Sequence, residues 1–157
     1  MKPSVYIETS VLSYLTARPS RDATVAVYQD LTRRWWATAP TRFRLVVSAL
    51  VFDEAGAGDL NAARDRRRAI ETLPLLAPNP ASRELTKQLL KLGAVPPNAE
   101  SDAVHIALAA VNELDYLVTW NFRHIANATM QARIVETCRR AGHRSPIICA
   151  PPALMEP

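Results

Sequence analysis

Four polar side chains lie at the ends of apolar segments of this chain and could form a chemical site: Glu8, Glu54, Asp102 and Asn121. A carboxylate among apolar residues costs free energy unless a cation or a hydrogen-bond donor meets it. Because the four are spread along the chain, we expect folding to bring them into one site. A divalent metal ion is the natural occupant of such a site.

The three carboxylates of this set indicate which ion would bind. If they converge within about 5 Å, each pair repels by roughly 3 kcal/mol at an effective dielectric constant near 20. Three pairs approach about 10 kcal/mol, which is comparable to the stability of a whole domain, so protonation or a cation must relieve the repulsion. Oxygen ligands select hard ions. The sequence therefore predicts Glu8, Glu54 and Asp102 as ligands of Mg²⁺ or Mn²⁺, which activate water beside a phosphate.

Each acid also has an ordinary structural interpretation. Glu8 and Asp102 both stand near predicted helix N-termini, where a negative charge is worth about 0.5 kcal/mol. On the short helix after Ser48, either Asp53 or Glu54 could be the ligand. Glu54 is preferred because it continues the apolar face of Leu50, while Asp53 points roughly 100° away.

The histidines and tryptophans are weaker candidates. His105 could orient a carboxylate or contact a phosphate, although a buried structural histidine is the more common case. His124 and His143 lack the spacing of a zinc site. Trp120 could stack on a nucleobase or pack in the core, and the sequence leaves both interpretations open.

The elements that must position these residues alternate along the chain. Strands are predicted at residues 4–7, 43–47, 75–76, 115–119 and 147–149, with helices between them. Pro40 is expected to end the second helix. This alternation predicts an α/β fold, a three-layer sandwich with a central parallel sheet. Ligands of such folds bind beyond the carboxyl ends of the strands, where Glu8 and Asn121 follow theirs.

Length and composition set further limits. The 157 residues, 48% of them hydrophobic, predict a single domain over residues 1–150 and a loosely held, Pro-rich tail over 151–157. No apolar run approaches the roughly 18 residues of a membrane span. We expect no membrane association, a cytoplasmic location without a signal peptide, and free thiols at Cys138 and Cys149.

Arginine supplies the formal net charge of +4 and forms two clusters, at residues 64–68 and 139–144. A basic surface around an acidic pocket suits a protein that cuts nucleic acid. The arginine content of a GC-rich genome explains the count equally well. The first cluster could bind RNA or could simply be a solvated helix face.

These residues fall in four ordered motifs that resemble those of the PIN-domain family, in particular the VapC-like toxins of bacterial type II toxin–antitoxin systems. The motifs are Glu8-Thr9-Ser10-Val11-Leu12, Ser48 to Glu54, Asp102 to Ala107, and Leu117 to Asn121. Together they span nearly the whole chain. Two positions depart from the family pattern, which usually has Asp where this chain has Glu8 and often has Asp where it has Asn121.

The resemblance implies a PIN-like domain with Mg²⁺- or Mn²⁺-dependent endoribonuclease activity on RNA. It also implies a homodimer and inhibition by a cognate antitoxin protein. The implied site comprises the ligands Glu8, Glu54 and Asp102, the fourth position Asn121, and the supporting hydroxyl of Thr119 or Ser10. Two alternatives stay open: a non-catalytic PIN-like module that binds RNA or protein, and a metal-dependent phosphatase or DNase.

Overall fold

A five-stranded, all-parallel sheet forms the centre of the protein, in a computed structural model that describes every residue from Met1 to Pro157. Its strands are β1 (Ser4–Ile7), β2 (Arg44–Ser48), β3 (Leu75–Leu76), β4 (Tyr116–Val118) and β5 (Ile147–Cys149). They lie in the order β3-β2-β1-β4-β5. The predicted α/β class and parallel sheet are confirmed, and each strand lies within one residue of its predicted bounds.

Seven helices cover the sheet: α1 (Thr9–Thr16), α2 (Ala23–Arg42), α3 (Ala49–Ala55), α4 (Leu60–Ile70), α5 (Pro80–Lys91), α6 (Glu100–Val111) and α7 (Ala128–Arg140). Their main contacts form two groups, since α1 packs against α2, α3 and α4, while α5 packs against α6 and α7. Right-handed crossovers produce this division because the chain reverses direction across the sheet after β3. The two groups are the outer layers of the predicted sandwich.

The central strand β1 is buried along its whole length. Val5, Tyr6 and Ile7 are completely inaccessible to solvent and belong to a core of 33 apolar residues. A strand covered on both faces needs such a run, and any polar atom within it needs a hydrogen-bond partner. No helix of the protein has both the length and the apolar character required to cross a membrane.

The reversal of strand order determines where the loops separate. From β1 the chain moves to β2 and β3, and then returns past β1 to β4 and β5. The loops that follow β1 and β4 therefore leave the sheet in different directions, and folds of this class bind ligands in the crevice at such a reversal. Glu8 directly follows β1 and Thr119 directly follows β4, so both residues lie where the strand order reverses.

The prediction that Pro40 ends α2 was wrong, because the helix continues to Arg42. Proline removes one backbone donor, but a helical hydrogen bond still spans this position, with the Phe43 N–H donating to the Ala39 carbonyl at 2.8 Å. Ala39 and Trp35 are fully buried in the core. We attribute the continuation to this packing, which outweighs one missing hydrogen bond near the helix end.

The predicted Pro-rich tail begins with a short helical turn. Pro151–Leu154 forms a 3₁₀ turn that packs against α2, with Pro151 and Leu154 buried. The Arg42 guanidinium donates to the Leu154 carbonyl at 2.7 Å. Apolar burial and this hydrogen bond hold Pro151–Leu154 against α2.

Asp115 joins the starts of β1 and β4 at the edge opposite the crevice. Its carboxylate accepts hydrogen bonds from the Ser4 N–H at 2.8 Å and the Ser4 hydroxyl at 2.9 Å. Its own N–H donates to that hydroxyl at 2.9 Å. The backbone and side-chain hydrogen bonds from Ser4 hold the pKa of Asp115 below its ordinary value.

We expect Asp115→Asn to lower the free energy of unfolding by about 1 kcal/mol at pH 7, because a charged acceptor of two bonds is lost at a partly exposed site. The folded pKa lies below the unfolded one, so this stability is present above about pH 4 and is lost as the pH falls through the folded pKa. Urea unfolding measured from pH 7 to pH 3 should show the difference in the free energy of unfolding between wild type and variant becoming smaller.

The control is Asp30→Asn, which removes a solvent-exposed carboxylate 3.8 Å from Arg34. Its effect should stay within about 0.5 kcal/mol at every pH, since exposed ion pairs contribute little. If the difference in unfolding free energy between wild type and Asp115→Asn is unchanged or larger in acid, the stabilising role of the Asp115 carboxylate is contradicted.

Candidate metal centre

Glu8 lies at the junction of β1 and α1 and is 6% exposed. Its carboxylate accepts three hydrogen bonds, from the Ser10 N–H at 3.0 Å, the Ser10 hydroxyl at 2.5 Å and the Thr119 hydroxyl at 2.6 Å. Glu8 is thus the N-cap of α1. The helix N-terminus and the three donors together offset the burial of its charge.

The two hydroxyl groups that hold Glu8 also hold the loop after β4. The Ser10 hydroxyl oxygen accepts from the Trp120 N–H at 2.8 Å, and the Thr119 hydroxyl oxygen accepts from the Asn121 N–H at 2.9 Å. The sequence predicted that one or the other hydroxyl supports the pocket, and both do. The position of this loop therefore depends on the Glu8 carboxylate.

Glu54 lies in the last turn of α3 with its side chain 33% exposed. One carboxylate oxygen, Oε1, accepts from the Thr9 hydroxyl at 2.6 Å and lies 2.7 Å from Nε2 of His105. Burial raises the pKa of Glu54, but the hydrogen bonds from His105 and Thr9 outweigh it, so the pKa lies below the ordinary value. Asp53 is exposed beside a separate cavity of about 300 Å³, which supports the choice of Glu54.

A buried chain of hydrogen bonds fixes His105 behind Glu54. Nδ1 of His105 lies 2.6 Å from the Tyr6 hydroxyl, which lies 2.7 Å from the Ser48 hydroxyl. Ser48 accepts in turn from the Val51 N–H at 3.1 Å as the N-cap of α3. Burial raises the pKa of Tyr6, so the phenol stays protonated.

One arrangement of protons satisfies every member of this chain. When Nε2 of His105 donates to Glu54, Nδ1 accepts from the Tyr6 hydroxyl, and the Tyr6 oxygen accepts from Ser48. His105, which is 1% exposed, is therefore both the buried structural histidine and the carboxylate-orienting group that the sequence left as alternatives.

Arginines of α4 hold the helix that carries Glu54. Arg66 donates to the Ala55 carbonyl at 2.9 Å, and Arg67 donates to the Phe52 carbonyl at 3.1 Å. The Arg67 guanidinium also lies 4.1 Å from the centre of the Phe52 ring. Positive groups at a helix C-terminus meet its unpaired carbonyls. Two arginines of the 64–68 cluster thus anchor α3, a role that neither sequence interpretation included.

Asp102 belongs to a second group of side chains, formed with the loop after β4. Its two carboxylate oxygens contact the Asn121 amide nitrogen at 3.2 Å and Nδ1 of His124 at 3.1 Å. The Asn121 amide oxygen accepts from the N–H groups of Arg123 and His124, at 3.2 and 2.9 Å. Both ends of this amide are therefore engaged in holding Asp102 and closing the loop.

Sequence reasoning missed the contact of His124 with Asp102 because it searched for the spacing of metal ligands. The available signal was different: His124 follows Asn121 by three residues, which is the spacing of one tight turn. Asn is common at the start of such turns because its side chain accepts from the following N–H groups. This turn places His124 and Asn121 together on Asp102.

One compact group in the protein could hold a metal ion. Potential ligand atoms of Glu8, Glu54 and His105 all lie within 4.8 Å of one another. Asp102, the third predicted ligand, lies outside this group. Hydrogen bonds through the loop after β4 join it to Glu8. The structure thus brings two of the three predicted acids together and links the third to them.

The chemistry of this group favours carboxylate ligation. Both nitrogens of His105 are engaged, and a metal on Nε2 would replace its 2.7 Å contact with Glu54. The second carboxylate oxygen of Glu54 has no donor within the protein, since both of its hydrogen bonds go to Oε1. Carboxylate oxygens are therefore the available ligand atoms, and the residues fit a bound cation.

We expect Tyr6→Phe to destabilise the fold by about 1–3 kcal/mol, because it leaves buried polar atoms of His105 and Ser48 unsatisfied. Urea unfolding at pH 7 would measure this change. The matched control is Tyr116→Phe, because the Tyr116 hydroxyl makes no hydrogen bond within the protein. Equal stabilities of the two variants would contradict the hydrogen-bond chain.

Millimolar Mn²⁺ should raise the melting temperature of the wild type, because the cation relieves repulsion between Glu8 and Glu54. At a hundred times Kd, binding adds about 2.7 kcal/mol, or roughly 5 °C or more in melting temperature. Glu54→Gln should abolish this increase, and Asp53→Asn should retain it. An equal increase in Glu54→Gln and wild type would show that the ion binds elsewhere.

Comparisons with known proteins add no further assignment. No protein-family model matches this chain, and no curated protein matches its sequence. What can be concluded about the site therefore depends on its geometry: a buried and a partly buried carboxylate, held by fixed donors beside a buried histidine, near the carboxyl ends of β1 and β4.

Proposed function

We propose that this protein is a metal-dependent endoribonuclease that hydrolyses RNA phosphodiester bonds. The observation that carries the proposal is the convergence of Glu8 and Glu54 at the crevice where the strand order reverses. Two carboxylates held close together repel each other, so a fold that keeps them close provides a site suited to a cation. The four ordered motifs that resemble those of PIN-domain nucleases support the same activity.

The proposed ion is Mg²⁺ or Mn²⁺, and its proposed ligands are Glu8, Glu54 and Asp102. The argument is the donor set, because carboxylate oxygens without a free imidazole or thiolate suit hard cations. When bound, such an ion supplies positive charge for the phosphate oxygens and lowers the pKa of a water molecule. Glu8 and Glu54 come from the compact group, and Asp102 comes from the adjoining one.

The chain's own residues position the groups that would meet the substrate. Thr9 and His105 hold one oxygen of Glu54 and leave the other open to a cation or a proton. Asn121 and His124 hold Asp102 from the opposite loop. The acids are thus fixed by hydrogen bonds before any ligand binds, and this preorganisation is what catalysis by charge stabilisation requires.

RNA is the proposed substrate because the protein combines this acidic crevice with a formal net charge of +4. Phosphodiesters are attracted to positive charge, and a bound cation would offset the repulsion between the scissile phosphate and the acids. From the resemblance we further propose that the protein is a toxin, acts in the cytoplasm as a homodimer, and is inhibited by a cognate antitoxin.

A second candidate is a non-catalytic module that binds RNA or protein. The observation that favours it is Asn121, which is neutral at the fourth position of the motif set and has its amide engaged with Asp102 and the loop. An aspartate there would add one negative charge to the site. With less charge, the site attracts a cation less strongly, and binding without cleavage becomes the competing function.

Cleavage of a mixed pool of structured RNAs tests the proposal. Purified wild type should give products in Mn²⁺ or Mg²⁺ and none in EDTA. Glu54→Gln and Asp102→Asn should each lose at least about 100-fold in rate, the order seen when one stabilising group is removed from an active site. Asp53→Asn, on the same helix as Glu54 but exposed, should keep full activity.

Three results would overturn this assignment. Retained activity in Asp102→Asn would exclude Asp102 from the site. Absence of products with every metal, combined with RNA binding that EDTA leaves unchanged, would establish the binding module instead. If DNA or small phosphoesters are hydrolysed faster than RNA in the same assay, the protein is a DNase or a phosphatase instead.

A further inference from the structure

Trp120 is unable to bind a nucleobase, because it is packed inside the protein. Its ring stacks on Tyr28 with centroids 4.3 Å apart, and its indole N–H donates to the Thr32 hydroxyl at 2.8 Å. Tyr14 meets the indole edge to face at 5.9 Å. With 7% exposure, Trp120 serves as part of the core, which settles the two interpretations that the sequence left open.

Phe122, two residues later, has the opposite character. It is 46% exposed, although a phenylalanine gains free energy from burial. Its ring meets Trp120 at 5.9 Å and Tyr28 at 6.2 Å, both edge to face. One buried ring, Trp120, and one partly buried ring, Tyr28, therefore anchor one side of Phe122, and the remainder of its ring is open to solvent.

The neighbours of Phe122 in the loop connect it with the acidic site. Asn121, directly before it, donates to Asp102 at 3.2 Å. Arg123, directly after it, is exposed, and its guanidinium forms no hydrogen bond or ion pair within the protein. Arg139 and Arg140, by contrast, both pair with Glu136. An exposed aromatic ring and an exposed guanidinium thus occupy adjacent positions in the loop whose Asn121 contacts Asp102.

We propose that Phe122 and Arg123 bind one unpaired nucleotide at the entrance to the acidic site, with the ring of Phe122 stacked on the base and Arg123 on a phosphate. The inference rests on the proposed function, since it assumes an RNA strand in the crevice. An aromatic surface next to a guanidinium is the combination that holds single strands, because every base has a π-face and every nucleotide a phosphate.

This arrangement determines which strands can bind. A base within a duplex is covered on both faces by its neighbours, so Phe122 has no surface to stack on. An unpaired base in a loop, a bulge or an end is accessible. Phe122 therefore selects the conformation of the strand at the entrance and tolerates different bases, and the nearby acids act on a phosphate next to the unpaired position.

Binding without cleavage tests the inference first. The full chain in EDTA is titrated into a fluorescein-labelled single-stranded oligoribonucleotide of about ten nucleotides, and fluorescence anisotropy is recorded. Phe122→Leu should weaken binding about ten-fold, the order expected for loss of one base–aromatic stack. Phe122→Tyr, which retains an aromatic ring, should bind like wild type. The control Val135→Ala removes an equally exposed apolar group elsewhere, on α7, and should have no effect.

A second probe separates stacking from general apolar contact. An oligomer of the same length with abasic sites keeps its phosphates and loses its bases, so wild type and Phe122→Leu should bind it equally. Equal affinity of Phe122→Leu and wild type for the intact strand would overturn the inference. So would undiminished wild-type affinity for the abasic strand or a duplex, or absence of single-strand binding at up to about 100 µM protein.

Salt dependence tests the role of Arg123. Arg123→Gln should reduce the slope of log affinity against log salt by about one phosphate contact, and Arg123→Lys should largely keep it. Arg83→Gln, at an exposed arginine on α5, is the control and should leave the slope unchanged. A slope unaffected by Arg123→Gln would remove this residue from the nucleotide site.

Cleavage in Mn²⁺ keeps the two proposals separate. Intact strand binding by Phe122 with no cleavage by wild type would refute the nuclease and leave the nucleotide site established. Full cleavage of a single-stranded substrate by Phe122→Leu, with an unchanged KM, would refute the nucleotide site and leave the nuclease. We expect a KM raised about ten-fold and a smaller change in kcat.

Discussion

The buried carboxylate of Glu8 is the constraint on which the site and its surroundings depend. Taking such a charge from water costs several kcal/mol, which only well-placed donors recover. Ser10 and Thr119 provide them, and their hydroxyl oxygens also accept the N–H groups of the loop after β4. One negative charge thereby sets the start of α1, the end of β4 and the course of the loop beyond. The same hydrogen bonds to Glu8 therefore position the site and hold the fold around it.

Glu54 is supported in a different way, from the core outward. The chain through His105, Tyr6 and Ser48 starts at the N-cap of α3 and ends on the carboxylate near the end of the same helix. Arg66 and Arg67 hold that end from α4. Both termini of a short helix, which has little stability of its own, are thus fixed by other elements. The partly exposed acid is consequently as well positioned as the buried one.

The parts of the structure that follow from local pattern could be predicted, and those that depend on loop path could not. Apolar runs bounded by turn residues identified all five strands, and helical spacing chose Glu54 over Asp53. The separation of Asp102 from the compact group depends on tertiary distances of a few ångströms, which no spacing rule encodes. His124 and Phe122 depend on a tight turn whose partners are distant in sequence. Pro40 lies in a helix because packing outweighed a local preference.

The hydrogen bond from Thr119 to Glu8 joins residues 111 positions apart in the chain. Contacts of such sequence separation form late, because a long loop must close before they stabilise anything. During synthesis, Glu8 emerges long before its Thr119 donor exists, and Asp102 emerges before Asn121. The acidic crevice is therefore incomplete on a nascent chain still attached to the ribosome, and it is assembled only when the last third of the protein has been made. The order of synthesis delays the site until the whole fold can form.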